Sequence, residues 1–170
     1  MTFKGRKWLL AAGLVLGLLV GGYSLYLYCL GHGAAREVEQ LLGRFDTAHI
    51  TFLQLDGDEG PSEPDQAGRR RVRDIWPTMR EISLAPNALE EFRSIATSPW
   101  SYSDTAMTCF EPGMAVVFVD GGRRLEVVMC LKCARMRIWE NGDEQTGRWF
   151  LSRRGIERLY GFYNTVTGKQ

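Results

Sequence analysis

The run WLLAAGLVLGLLVGGYSLYLYCL, from Trp8 to Leu30, contains no charged residue. A helix needs about 20 consecutive, mostly apolar residues to cross a bilayer, and this run is long enough. Lys4, Arg6 and Lys7 stand immediately before it, no further Lys or Arg occurs until Arg36, and residues 1–30 hold no acid. Basic residues on one flank keep that flank in the cytoplasm, so residues beyond the run are expected on the far side of the membrane. Trp8, Tyr23, Tyr26 and Tyr28 lie towards the two ends, where amphipathic rings favour the headgroup region. The expected organisation is a cytoplasmic N-terminus over residues 1–7, a transmembrane helix over 8–30, a membrane-proximal helix over 31–45, and an extracytoplasmic domain over 46–170. A cleaved signal peptide is the rival reading, because Gly31, Gly33, Ala34 and Ala35 are small enough for processing. Its apolar core would normally be about 7–15 residues, and this run is longer, which favours a retained signal-anchor. Lipidation at Cys29 is disfavoured by Tyr28 just before it. Gly13, Gly17 and Gly21 recur at four-residue spacing, which places small residues on one helix face and fits a homodimer contact. Glycine is also common in membrane helices without any such role.

The charge balance narrows the partners. The chain of 170 residues carries 21 Lys and Arg against 20 Asp and Glu; setting aside Lys4, Arg6 and Lys7 leaves 18 against 20. A body so nearly neutral has no electrostatic footprint for nucleic acid. With 45% hydrophobic and 24% charged residues it has the composition of a folded domain.

Beyond the membrane run, Ala34 to Phe45 places Val38, Leu41, Leu42 and Phe45 at helical spacing, so an amphipathic helix either continues from the membrane or follows a bend at Gly31 and Gly33. Ala48 to Leu55 reads as a strand with Ile50 and Phe52 on one face and Leu53 and Leu55 on the other. His49 within it has no local partner residue. Asp56 to Asp74 is a loop by composition, with its acids first and Arg69, Arg70, Arg71 and Arg73 after them, which reads as a solvated, self-compensating segment in preference to a recognition loop for an acidic partner or the membrane surface. Met79 to Leu84 is a second strand. Pro86 opens a helix through about Thr97, with Leu89, Phe92 and Ile95 inward and Glu90 and Glu91 placed to complement the dipole. Trp100 to Thr108 is an irregular connection whose Trp100 and Tyr102 would cover the core edge or line a pocket. Near the C-terminus, Arg148 to Leu151 suits a short strand or the approach to a helix. Ser152 caps a helix through about Val166, with Ile156, Leu159, Tyr160 and Tyr163 as its apolar face and Arg153, Arg154 and Arg158 marking its solvated side in preference to a phosphate site.

The centre of the domain is the stretch from Cys109 to Cys133. Gly121-Gly122 between two apolar runs signals a two-residue hairpin turn. That turn pairs Phe118 with Leu125, Val116 with Val127 and Met114 with Met129 on one apolar face. The other face pairs Val117 with Glu126 and Ala115 with Val128, so one face should be well buried and the other partly covered. The same register places Cys130 opposite Gly113 and Cys133 opposite Phe110. A bulge at Pro112-Gly113 would bring Cys109 into line with Cys133. Outside the cytoplasm such a pair oxidises, so the expected staple is a disulfide between Cys109 and Cys133, with Cys130 as the alternative partner of Cys109. Closing this loop would contribute on the order of 3 kcal/mol.

Three chemical readings of these cysteines compete with the staple. A thioredoxin-like site needs Cys-x-x-Cys at a helix start, whereas Cys130-Leu131-Lys132-Cys133 follows one strand and precedes another, Ala134 to Trp139. A zinc site would need histidine, and His32 and His49 lack ligand spacing. Haem attachment would need a histidine directly after Cys133, where Ala134 stands.

From about Leu84 to Trp139, the succession Cys109-Phe110-x-Pro112, apolar strand, glycine turn and Cys130-x-x-Cys133 resembles a pattern of uncharacterised small bacterial exported and membrane-anchored proteins. In that pattern a histidine often follows the proline, and Met114 stands at about that place here. The resemblance implies an envelope location and no established activity.

The reading as a whole is an α+β protein: an N-terminal transmembrane helix followed by an antiparallel β-meander domain with flanking helices. No catalytic, cofactor-binding or metal-binding residues are assigned. The expected role is a non-catalytic binding or accessory domain of the bacterial cell envelope, anchored in the bilayer through residues 8–30 and meeting a protein partner there. The alternatives are a thiol-disulfide redox protein using Cys130 and Cys133, and a subunit of an envelope transport or secretion complex.

Overall fold

The computed structural model describes residues 3–45, 50–55, 76, 78–105, 110–147 and 149–168, with side chains from residue 12 onward. Helix α1 spans Phe3–Leu42 and runs through Gly31 and Gly33 without a break. Its 40 residues extend about 60 Å at 1.5 Å per residue. From Ala12 to Leu42 it holds a segment long and apolar enough to cross a membrane. The domain follows as strands β1 (Ile50–Leu55) and β2 (Thr78–Ser83), helix α2 (Pro86–Ala96), a 3-10 turn (Pro99–Ser101) and strand β3 (Tyr102–Ser103). Then come β4 (Met114–Asp120), β5 (Arg123–Cys130), β6 (Arg135–Glu140), β7 (Asp143–Glu144), β8 (Trp149–Leu151) and helix α3 (Arg153–Thr167).

All strand pairs are antiparallel, in the order β2-β1-β4-β5-β6-β8-β3, with β7 paired to β6. The β4–β5 hairpin has the register that its glycine turn dictates: Phe118 faces Leu125, Val116 faces Val127 and Met114 faces Met129. Gly121 and Gly122 both hold positive φ, 54° and 88°, which is the backbone a tight right-twisted hairpin turn requires. β1 joins the far side of β4 with Phe52 opposite Val116, so the central three strands share one apolar face.

That face is the main core. Phe52, Met114, Val116, Phe118, Leu125, Val127 and Ile138 are fully buried under Val38 and Leu42 of α1, Phe92 and Ile95 of α2, and Leu159 and Phe162 of α3. Phe162 sits where the rings of Phe52 and Phe92 converge, with centroids 6.0 and 5.7 Å away. The second face is closed as well, more fully than its mixed composition suggests. Leu53, Leu55, Ala115, Val117, Val128 and Trp139 are buried with Trp76, and Phe110 packs against them. Trp76 stacks edge-on against both Phe110 and Trp139. Glu126 on this face is 2% exposed and holds Arg124 at 2.5 Å, so its charge enters the sheet with a partner.

Helix α3 departs from expectation in its rotation. Leu159 and Phe162 carry its buried stripe, with Ile156, Tyr163 and Val166 half-covered, whereas Tyr160 is exposed. Ser152 is its cap, accepting the Gly155 N–H at 3.0 Å, and Gly168 closes it in the left-handed region. On α2, Leu89, Phe92 and Ile95 are buried as the spacing predicts, but no acid falls in its first turn. Glu90 and Glu91 lie one turn further on, where the dipole has faded.

Helix α1 joins the domain along one stripe. Residues from Ala12 to Tyr26 are exposed; Leu27 is the first half-buried position, and Gly31, Ala35, Val38 and Leu42 continue it as buried positions. The backbones approach closely at Gly31, where a Cβ would lie 2.0 Å from the Pro99 carbonyl oxygen. Tyr28 stacks on His32 at 5.7 Å and meets Trp100 at 5.4 Å between ring centroids.

Candidate functional site

β5 ends at Cys130, and the turn Leu131-Lys132 returns the chain through Cys133 to β6. The turn is tight. The Cys133 N–H donates to Cys130 Sγ at 3.0 Å, and Ala134 adopts a positive φ of 51° so that β6 can start in register. Both cysteine side chains are fully buried, and no disulfide is seen among the described residues. Attacking thiols sit in exposed, electropositive surroundings, whereas this pair is packed beneath its own turn. The expected Cys109–Cys133 bridge and its Cys109–Cys130 alternative both involve Cys109, which lies outside the described residues, as do His49 and the loop over residues 56–75.

Across from the turn, the ladder slips at Gly113. Its N–H donates to the Met129 carbonyl, one residue out of the register that pairs Met114 with Met129. Its own carbonyl accepts the Leu55 N–H at 3.1 Å, which ties the slipped residue to β1. Pro112, with no N–H to donate, precedes the slip and is buried.

A cleft of about 300 Å³ opens at this end of the hairpin. Gln54 and Leu55 of β1 and Met79 of β2 form one wall, Glu111 to Gly113 and Leu131-Lys132 another, and Tyr160 and Tyr163 of α3 a third. Lys132 Nζ stands 3.6 Å from Glu111 Oε2. The Gln54 side-chain amide donates to Met79 Sδ at 3.9 Å. Two phenols, a thioether, an amide and one ion pair suit recognition of an extended or amphipathic segment through packing and hydrogen bonds. The rotation of α3 that exposes Tyr160 is what gives the cleft its third wall. Sequence periodicity assigned Tyr160 to the core instead; its hydroxyl, which favours a wet edge, was the available signal.

Trp100 and Tyr102 stand apart from the cleft. Tyr102 is buried, its hydroxyl donates to the Ala96 carbonyl, and burial pushes its phenol well above the usual tyrosine range. Trp100 is 51% exposed and lies against Tyr28 of α1. Among the described residues, no group of three or more His, Cys, Asp or Glu side chains is placed to hold a metal ion. His32 is exposed on α1. Comparison of the chain with protein-family models, curated proteins and solved structures gives no match.

Proposed function

We propose that this chain is a single-pass protein of the cell envelope whose α+β domain stands outside the cytoplasm as a non-catalytic binding or accessory domain. The observation that carries the reading is the division of α1. Leu14 to Leu30 presents a sleeve of exposed leucine, valine and tyrosine, while Gly31 to Leu42 supplies buried positions to the domain core. A sleeve of that size is costly in water and favourable in lipid. The basic residues before Trp8 orient it with the N-terminus inside. The same division supports retention of the helix, because cleavage near Ala35 would remove Gly31 and Ala35 from their packing.

The binding role rests on the cleft and on β2. Among the described residues β2 pairs only through β1, and Met79, Arg80 and Glu81 along it are exposed. An edge strand beside a cleft offers a partner main-chain hydrogen bonds together with a pocket for its side chains. The slip at Gly113 is the step that a Cys109–Cys133 staple needs, and the buried Cys130-Cys133 turn favours a staple over thiol exchange.

Three measurements test this reading. C-terminal fusions should give active alkaline phosphatase and dark green fluorescent protein, and the chain should resist alkaline carbonate extraction; a fluorescent, extractable fusion refutes the anchored orientation. Mapping of a non-reduced digest should find Cys109 in the bridge, while a readily reduced Cys130–Cys133 bridge would establish the redox alternative. A photo-crosslinker placed at Met79 in native membranes should give a discrete adduct that one at the exposed Asp143 of β7 does not; equal labelling at both sites would sink the binding surface.

A further inference from the structure

The domain meets α1 at a defined height on the helix. Trp8 follows the last N-terminal cation, and about 20 residue steps of 1.5 Å carry the helix about 30 Å, the thickness of the hydrocarbon core, to Tyr28. At that level Tyr28 meets Trp100, and one helical turn later Gly31 is pressed against Pro99. The 3-10 turn Pro99–Ser101 is therefore at headgroup depth whenever α1 spans the bilayer.

The start of α3 is tied to that same turn. Ser152 Oγ donates to the Trp100 carbonyl at 2.6 Å and Ser152 N–H donates to the Ser101 carbonyl at 2.8 Å. Gly155 approaches so closely that a Cβ there would lie 2.4 Å from the Ser101 oxygen. The next side chains along are Arg153 and Arg154, both exposed. Two arginines in the first turn of a helix oppose its dipole, and a pair such as Arg153–Glu157, with an arginine side chain 94% exposed, adds little. Helix stability therefore gives no reason for cations at this position. Phosphate groups at headgroup depth do.

We propose that Trp100, Arg153 and Arg154 form a lipid-binding collar, with Trp100 inserted at the bilayer interface and the two guanidinium groups held on anionic phospholipid headgroups. The collar rests on the anchored reading of α1. It adds that the domain lies on the membrane by a fixed face rather than swinging from a tether. An indole beside the tyrosine of a membrane helix occupies the depth such rings prefer. Guanidinium binds phosphate in bidentate fashion. This face lies at the α1 end of α3, whereas the cleft is walled by Tyr160 and Tyr163 further along the helix, so lipid contact leaves the binding surface clear.

The test uses the full chain in phosphatidylcholine vesicles with or without phosphatidylglycerol. Nitroxide on the lipid headgroup should quench wild-type tryptophan fluorescence more than that of Trp100→Phe, in which Trp8 still reports the bilayer; equal quenching overturns the collar. Spin-labelled phosphatidylglycerol should be held in preference to spin-labelled phosphatidylcholine. The Arg153→Gln/Arg154→Gln variant should lower that preference about fivefold or more, at about a factor of five for each cation near an anionic surface. Arg158→Gln, whose arginine instead bonds Ser94, should leave it unchanged. A preference that survives the double variant, or falls equally in Arg158→Gln, overturns the proposal. Release of the wild type from vesicles by alkaline carbonate would instead refute the anchored reading beneath it.

Discussion

Replacing Gly31 by alanine asks whether α1 and the domain are one packed body. The added Cβ would lie 2.0 Å from the Pro99 oxygen and 2.9 Å from its carbonyl carbon, so the backbones must separate by at least 1.0 Å to reach the 3.0 Å that real Cβ atoms respect. Overpacking of this kind costs about 1–3 kcal/mol. The alanine returns up to about 1 kcal/mol of helix propensity, which blurs the net change. Gly33 on the same helix has nothing within 4 Å of its Cβ position, so Gly33→Ala isolates the propensity gain. The two variants should therefore differ by about 1–3 kcal/mol, which for a chain of this length is roughly 2–12 °C in melting temperature, with Gly31→Ala the lower. Near-UV circular dichroism melts in detergent micelles measure this gap. If Gly31→Ala melts with or above Gly33→Ala, α1 is not docked on Pro99 and the fixed geometry of anchor and domain is wrong.

Two further outcomes follow from the core. Phe162→Ala should cost about 3–5 kcal/mol in denaturant titration, and Tyr160→Ala only about 0.5 kcal/mol, because the first empties the centre of the helix layer while the second trims a cleft wall; the reverse order would restore the rotation of α3 that periodicity suggests. Tyr102 ties pH to stability. Its folded phenol titrates above its unfolded value of about 10, so the stability it contributes is complete below pH 10 and is lost as pH rises beyond it. Tyr102→Phe should cost about 0.5–1.5 kcal/mol at neutral pH by leaving the Ala96 carbonyl without its donor, and should flatten the alkaline decline. An alkaline limb as steep in the variant as in wild type would assign that decline to other groups.

The hairpin was the most legible part of the sequence, because Gly121-Gly122 admits one tight turn and every cross-strand pair follows from it. Helix α2 was equally readable, since Leu89, Phe92 and Ile95 leave only one face to bury. Helix α3 was not. It offers apolar or aromatic residues at Ile156, Leu159, Tyr160, Phe162 and Tyr163, and choosing among overlapping stripes depends on which layer it meets. The two-residue strands β3 and β7 are too short to carry any periodicity. The closure of the second sheet face was hidden because Trp76, which seals it, follows a segment with the composition of a solvated loop. At the site, the closeness of Cys130 and Cys133 is written in their spacing, but the cleft is assembled from five separate chain segments and no local pattern announces it.

On the proposed anchored reading, the shared use of α1 by bilayer and core bears on how the domain forms. Starting a helix in water is unfavourable by a factor of about 1000, on the order of 4 kcal/mol, because several backbone dihedrals must be fixed for the first hydrogen bond. A segment already helical in lipid can extend past Gly31 without that step. Ala35, Val38, Leu41 and Leu42 would then be in place as a ready-made wall before β1 is made, and the strands and later helices would collapse onto a surface that the membrane has already built.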